Sequence, residues 1–330
     1  MQNNSFTLLA LGDVVGDAGT EAVCRRMISL KKEYGADFVI VNAENSAETY
    51  GMSREAANAL LDAGADVLTG GNHSLKNYDV FDLLDENERV LRPMNLPDAA
   101  PGHGWCIVNA PHGLRVLVIS ALGQVFMNQC DNPFTACDRL LAAQAGRYDI
   151  AICDIHAEAT SEKAAFAEYF DGRINITFGT HTHVQTADRR IFPRGSGFVT
   201  DIGMCGVTES VLGVKSQGII RQFVTSVAER HEKAHGTATL QPMKLRKIFS
   251  ALVCVAVVAT MFLAVAVSAD TGTTGAAQQE VSPLYQVLSL VIPFALLAVV
   301  FYFFIMRPQK KQQRETQQMR DSIARGDTVV

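Results

Sequence analysis

Short apolar runs recur along the first 242 residues, each closed by polar residues and followed by a stretch with helical spacing. "FTLLALGD" (6–13), "DFVIVNAEN" (37–45), "DVLTGGNH" (66–73), "YDIAICDIHAE" (148–158), "INITFGTHTH" (174–183) and "GFVTDIG" (197–203) read as strands. Their apolar parts do not alternate with polar residues, which predicts strands covered on both faces. Between them, "TEAVCRRMISLKKEYG" (20–35), "SREAANALLDAGA" (53–65), "NYDVFDLLDENE" (77–88), "PFTACDRLLAAQAG" (133–146) and "SEKAAFAEYF" (161–170) carry helical periodicity. Ser53 and Ser161 stand as N-caps of two of these helices. "GWCIVNA" and "LRVLVIS", joined by "PHG", predict a hairpin. The order is that of an α/β domain over residues 1–242.

The polar residues fall at the carboxyl ends of the predicted strands: Asp13, Glu44, Asn45, Asn72, His73, His156, His181 and His183. In sheets of this class that edge is where ligands bind. A single Gly-Asp after a strand is more often a turn, and a single buried histidine more often a satisfied core residue. The conjunction of Asp, Glu-Asn, Asn-His, His and His-x-His, each after a strand, points instead to one site.

Residues 243–330 differ in kind. "MKLRK" precedes an apolar run from 248 to 269 that ends in Val-Ser-Ala, a pattern that fits either a membrane span or a cleaved signal. A polar linker completes the segment 243–283. The uncharged run from 284 to 306 is long enough to span a bilayer, which takes about 20 apolar residues. Arg307, Lys310, Lys311 and Arg314 follow it, as Lys244, Arg246 and Lys247 precede the first run. By the positive-inside rule both ends face the cytoplasm. The expectation is a cytoplasmic catalytic domain carried by a membrane-anchor tail of one or two helices.

Charge sharpens this division. The tail holds nine Lys/Arg against five Asp/Glu, while residues 1–242 hold twenty against twenty-nine. An acidic body disfavours duplex nucleic acid, yet it admits a small phosphate ester whose charge is met by a metal. Seven cysteines at irregular spacing, with no CxxC pair, imply free thiols in a reducing compartment.

Carboxylate, amide and imidazole donors suit divalent metals of iron, manganese or zinc type. Seven ligands exceed one tetrahedral zinc and suit two metals about 3.5–4 Å apart. Glu44 is the expected bridge, with Asp13, Asn45 and His183 completing one metal and Asn72, His156 and His181 the other. Such a pair turns a bridging water into hydroxide at neutral pH and clamps the phosphoryl oxygens. His73, left over beside a ligand, is placed to protonate the leaving oxygen. Glu158 is a candidate to orient a ligand imidazole, and Arg92 to meet a phosphate or a surface carboxylate.

"GDVVG", "NAEN", "GGNH", "DIHAEATSEK" and "GTHTHVQTAD" together resemble the calcineurin-like metallophosphoesterases, and within them the YmdB-type 2′,3′-cyclic nucleotide phosphodiesterases. The wider superfamily usually begins with Asp-x-His and bridges its metals with Asp. Here Asp13-Val14-Val15 and Glu44-Asn45 stand instead, both features of the YmdB-type branch. The resemblance implies a four-layer αββα sandwich, a di-iron or di-manganese centre, and phosphodiester hydrolysis with His73 as proton donor. "FYFFIMRPQKKQQRE" and "GDTVV" resemble the membrane anchor and juxtamembrane part of YajC-type accessory subunits of the preprotein translocase. That resemblance implies membrane and translocase contacts through 284–330. With "MKLRK" reading like a fresh start, it raises either a true fusion or two joined reading frames. Two other functions stay open: a membrane-tethered translocase accessory with a passenger phosphoesterase domain, and a phosphate-binding or structural-metal domain without turnover.

Overall fold

In the computed structural model, which describes residues 5–240 and 242–248, the first apolar run forms β1 (Ser5–Leu11). Phe6, Leu8 and Ala10 join one apolar cluster, Leu9 and Leu11 another, and all five are buried. Both faces are covered, so no polar alternation marks the strand. After a two-residue β2 (Asp13–Val14) comes α1 (Gly16–Tyr34). This helix opens four residues before the predicted Thr20. Its first turn lies so close to the main chain at Cys205 that a Cβ on Gly19 would come within 2.3 Å of the Cys205 carbonyl oxygen. Apolar periodicity cannot signal a turn packed through glycine. The helix stops at Gly35, whose φ of 57° is the left-handed cap glycine accepts readily.

Next come β3 (Phe38–Asn42), α2 (Arg54–Asp62), capped by the Ser53 hydroxyl accepting from Ala56 N–H at 3.1 Å, and β4 (Val67–Thr69). The stretch predicted as one helix at 77–88 is a 3-10 turn, Tyr78–Val80, leading into α3 (Phe81–Glu86). The hairpin forms as expected from β5 (Trp105–Ala110) and β6 (Leu114–Leu122), paired antiparallel. There follow α4 (Pro133–Ala143), β7 (Ile150–His156), α5 (Thr160–Tyr169), β8 (Ile176–Thr180), β9 (Arg190–Ile191), β10 (Gly197–Val199), β11 (Met204–Val207), α6 (Ser216–Thr225), β12 (Ala238–Thr239) and β13 (Pro242–Ile248). Ser161 does not cap α5: the helix begins at Thr160, and Ala159 takes the cap position without a side-chain bond.

One sheet has the order β13-β1-β3-β4, a second β5-β6-β7-β8-β10-β9, and a small third β12-β11-β2. β1, β3 and β4 run parallel, as do β6, β7, β8 and β10, so each large sheet presents a common carboxyl edge. Phe6, Leu8, Phe38 and Ile40 of the first sheet share a core with Val116, Val118, Ile152 and Phe178 of the second. The other face of the first sheet packs Leu9, Val39 and Leu68 against Val23 and Met27 of α1 and Leu60 of α2. On the second sheet, Leu117, Ile119 and Cys153 meet Leu140 of α4 and Phe166 of α5. A mixed α/β fold of sheets lined by helices results.

The predicted boundary at 242/243 falls inside β13. This strand pairs antiparallel with the whole of β1, from Leu11↔Pro242 to Ser5↔Ile248. A chain ended at residue 241 would leave β1 as an open edge. Thermal unfolding should show it melting several degrees below a chain ended at 248, at about 2–4 °C per kcal/mol lost, with self-association visible in gel filtration.

Among the described residues no helix is long and apolar enough to cross a membrane. Residues 243–248 of the expected anchor tail form part of β13, and the rest of it, with the apolar runs beyond Ile248, lies outside those residues.

Candidate active site

Because the strands of each large sheet run parallel, residues that follow them in sequence arrive side by side. Glu44 and Asn45 follow β3, Asn72 and His73 follow β4, His156 ends β7, and His181 and His183 follow β8. Asp13 opens β2 just past the end of β1. All eight predicted residues are linked by short contacts. His156 Nε2 lies 2.9 Å from Asn72 Oδ1, 3.1 Å from His181 Nδ1 and 3.3 Å from Glu44 Oε1. Donor atoms of Glu44, His156 and His181 all fall within 4.8 Å of one another, a group that could hold a metal ion. On the other side of Glu44, Asn45 Nδ2 donates to Glu44 Oε1 at 2.8 Å and lies 3.4 Å from His183 Nε2. His183 Nε2 in turn stands 3.6 Å from Asp13 Oδ1. Asp13 Oδ2 accepts the His181 backbone N–H at 3.0 Å, whereas Asp13 Oδ1, fully buried, accepts no hydrogen bond.

His73 occupies the outer side. Its backbone N–H donates to Glu44 Oε2 at 2.9 Å, and its Nδ1 is 3.0 Å from Asn45 Oδ1. About a third of its ring is open to solvent, while Asp13, Glu44 and His156 are wholly buried. Gly71 makes this packing possible: a Cβ there would come within 2.3 Å of Glu44 Oε2 and 2.5 Å of His156 Nε2.

Burial and charge oppose each other here. Burial would raise the Glu44 carboxyl, but His156 and His73 beside it hold it well below the usual range. Asp13 likewise resists burial and stays low because of His183 and His156. Burial would lower His156, yet Glu44 and Asp13 push it up to about 9. His181 is pushed down by burial and then by the charge of His156. The buried carboxylates and the His156 imidazole thus favour each other's charged forms.

A deeper set of polar groups, absent from the sequence expectation, holds the His156 ring from behind. Asp154, pushed up to about 6 by burial, accepts from Thr69 Oγ1 at 2.5 Å, Thr180 Oγ1 at 2.7 Å and Asn42 Nδ2 at 2.9 Å. Thr180 Oγ1 also meets His156 Nδ1 at 2.9 Å, so His156 Nε2 is left facing the cluster. Strand alternation was the available signal, since Asp154 and His156 share a face of β7. Lys233, from the loop before β12, donates to the Asn45 carbonyl at 2.8 Å, and its burial lowers its pKa. No local pattern marked it, because it comes from 188 positions away.

Glu158 stands 3.0 Å from His181 Nε2. Arg92 is a correction. It is buried and donates to the carbonyls of Pro93 at 2.8 Å and Pro101 at 3.2 Å, so its hydrogen bonds go to main chain, while Asp98 and Asp85 act on it only through their charge. The "LRPMNLP" stretch folds back around its own guanidinium. Burial pushes the thiols of Cys130 and Cys106 up to about 11 and about 12, which leaves them poor nucleophiles.

Carboxylates and imidazoles gathered at the carboxyl edges of two facing sheets define a hydrolytic site, and the relatives of this chain give the class as phosphoester hydrolase. The chain belongs to the YmdB-like protein family, whose model matches residues 9–247. It is 41% identical over 233 residues to the 2′,3′-cyclic-nucleotide 2′-phosphodiesterase of Bacillus subtilis (strain 168), covering 71% of this chain and 88% of that protein. A putative phosphatase/phosphodiesterase of Mycoplasma pneumoniae is 37% identical over 236 residues, 69% of this chain and 83% of that one. Among solved structures, a novel phosphatase from Mycoplasma pneumoniae superposes with a TM-score of 0.70 at 34% identity, covering 74% of this chain and 89% of that one. A hypothetical protein from Thermus thermophilus gives 0.67 at 34% identity, covering 73% and 100%. A separate model, the preprotein translocase subunit YajC, matches residues 291–330. There the Sec translocon accessory complex subunit YajC of Brucella melitensis is 49% identical over 43 residues, 13% of this chain and 38% of that protein.

Proposed function

We propose that this chain is a dinuclear metal-dependent phosphodiesterase, built on a four-layer αββα metallophosphoesterase sandwich, that hydrolyses 2′,3′-cyclic nucleotides or related phosphodiesters. The observation that carries the reading is the donor group Glu44, His156 and His181 beside a buried oxygen of Asp13 that accepts no hydrogen bond. A buried carboxylate oxygen without a hydrogen bond is costly unless something positive meets it. The donor set is oxygen and nitrogen without thiolate, which suits iron or manganese.

Asn72, His156 and His181 would hold one ion, Asp13, Asn45 and His183 the other, with Glu44 between them. Asn45 would join through its amide oxygen, which requires the amide turned from the orientation that now meets His73. When bound, two such cations supply Lewis acidity and hydroxide at neutral pH. The rest is the work of side chains. Glu44 and Asp13, wholly buried, keep their negative charge at neutral pH and so retain the cations. His73, on the solvent side, is placed to give its proton to the departing ribose oxygen. Asp154 and Thr180 hold the tautomer and orientation of His156, and Glu158 those of His181.

The tail supports a second element of this reading. The YajC-like match and the apolar runs before it favour a membrane tether with translocase contact, the enzyme domain remaining cytoplasmic. One experiment addresses both. The full chain is expressed, cells are fractionated, and each fraction is assayed for hydrolysis of 2′,3′-cyclic AMP with metal content determined in parallel. Two equivalents of iron or manganese, turnover lost on chelation and restored by metal, and activity in the membrane fraction are expected. Metal-loaded protein inert toward every phosphodiester would leave a binding domain instead. Activity recovered only as a soluble product would remove the tether.

A further inference from the structure

We infer that the buried Lys163–Asp201 ion pair positions the metal site by clamping the turn that carries His181 and His183. The inference rests on the metal-site reading above. β8 ends at Thr180, and the next three residues leave the sheet in an unusual backbone shape. His181 has φ 99° and His183 φ 61°, both in the left-handed region that residues with a side chain seldom adopt. Such a conformation is strained and persists only when the surroundings impose it.

Thr182, between them, supplies the imposing contact. Its N–H and its hydroxyl both donate to Asp201 Oδ2, at 3.2 and 2.8 Å. Asp201 Oδ1 accepts Gly203 N–H at 2.8 Å, which ties the carboxylate to its own loop. Farther along, Thr186 exchanges two bonds with the Asp201 backbone at 3.0 Å each, so the turn is strapped at both ends. Lys163 and Asp201 are both wholly buried, with Lys163 Nζ 2.7 Å from Asp201 Oδ2. The lysine reaches the carboxylate from α5, passing Gly179, where a Cβ would lie 2.8 Å from Lys163 Cδ. A buried pair of this kind adds little net stability, since desolvation offsets most of the attraction. What it does add is a charged, immobile acceptor under Thr182. With the turn so held, His181 N–H reaches Asp13 and His183 Nε2 faces Asp13 Oδ1.

The test uses Thr182→Val, which removes only the hydroxyl donor, Lys163→Met, and the double variant Lys163→Met/Asp201→Asn, which leaves no unpaired buried charge. Three readouts are taken on metal-free full chain: thermal melting, amide hydrogen exchange at residues 181–183, and titration with Mn²⁺. Thr182→Val should melt near wild type, exchange faster at 181–183, and bind Mn²⁺ about 10–100-fold more weakly, the usual cost of losing an outer contact to a metal ligand. Lys163→Met should be worse in all three, and the double variant should recover much of the melting temperature and part of the affinity. Variants that fold, exchange and bind Mn²⁺ as wild type does would overturn the inference. If wild type itself takes up no Mn²⁺, the metal reading fails, while unchanged or faster exchange at 181–183 still decides for or against the clamp.

Discussion

Glu44→Gln should yield a folded protein without measurable turnover. Glu44 lies at the centre of three contacts of the site: its Oε1 accepts from Asn45 and stands 3.3 Å from both His156 Nε2 and His73 Nδ1, and its Oε2 accepts the His73 N–H. Glutamine fills the same volume but carries no charge and turns one acceptor into a donor. That donor would face either the Asn45 amide or the His73 N–H, both donors themselves. A neutral amide is also a far weaker bridge for the two cations of the proposed centre. Losing even one cation removes several kcal/mol of transition-state stabilisation, which makes the expected fall in kcat about 10³-fold or more. Metal analysis should show the second equivalent gone. Two tightly held metals with near-normal kcat would sink the bridging role.

His73→Ala should behave differently, and the difference is diagnostic. The metals should remain, because the Glu44 contact from residue 73 is made by its backbone N–H. With a cyclic nucleotide the departing group is a sugar alkoxide, a poor leaving group without a proton, and kcat should fall by about 10²–10⁴-fold. An aryl phosphodiester leaves as a stable phenolate, so its hydrolysis should lose far less. Equal losses on the two substrates would mean that His73 only props up the site.

Much of this site was legible because parallel strands with buried faces force their functional residues to the ends. Asp13, Glu44, Asn45, Asn72, His73, His156, His181 and His183 each follow an apolar run, and the register of the sheets does the rest. What stayed hidden is what depends on contact rather than pattern. The start of α1 is packed through Gly19, which has no side chain to contribute to periodicity. "GFVTDIG" reads as one strand, yet β10 stops at Val199 because Asp201 spends its carboxylate on Thr182, Gly203 and Lys163. Lys163 looks like an exposed helical lysine, yet it reaches the interior past Gly179, a residue with no side chain in its way. β13 escaped because its basic residues resemble the flank of the apolar run that follows.

The direction of β13 decides where that strand ends. Since Ile248 lies opposite Ser5, at the amino end of β1, β13 ends roughly 20 Å from the carboxyl edge, the length of seven extended residues. The end of β13 and the candidate site therefore lie at opposite ends of β1.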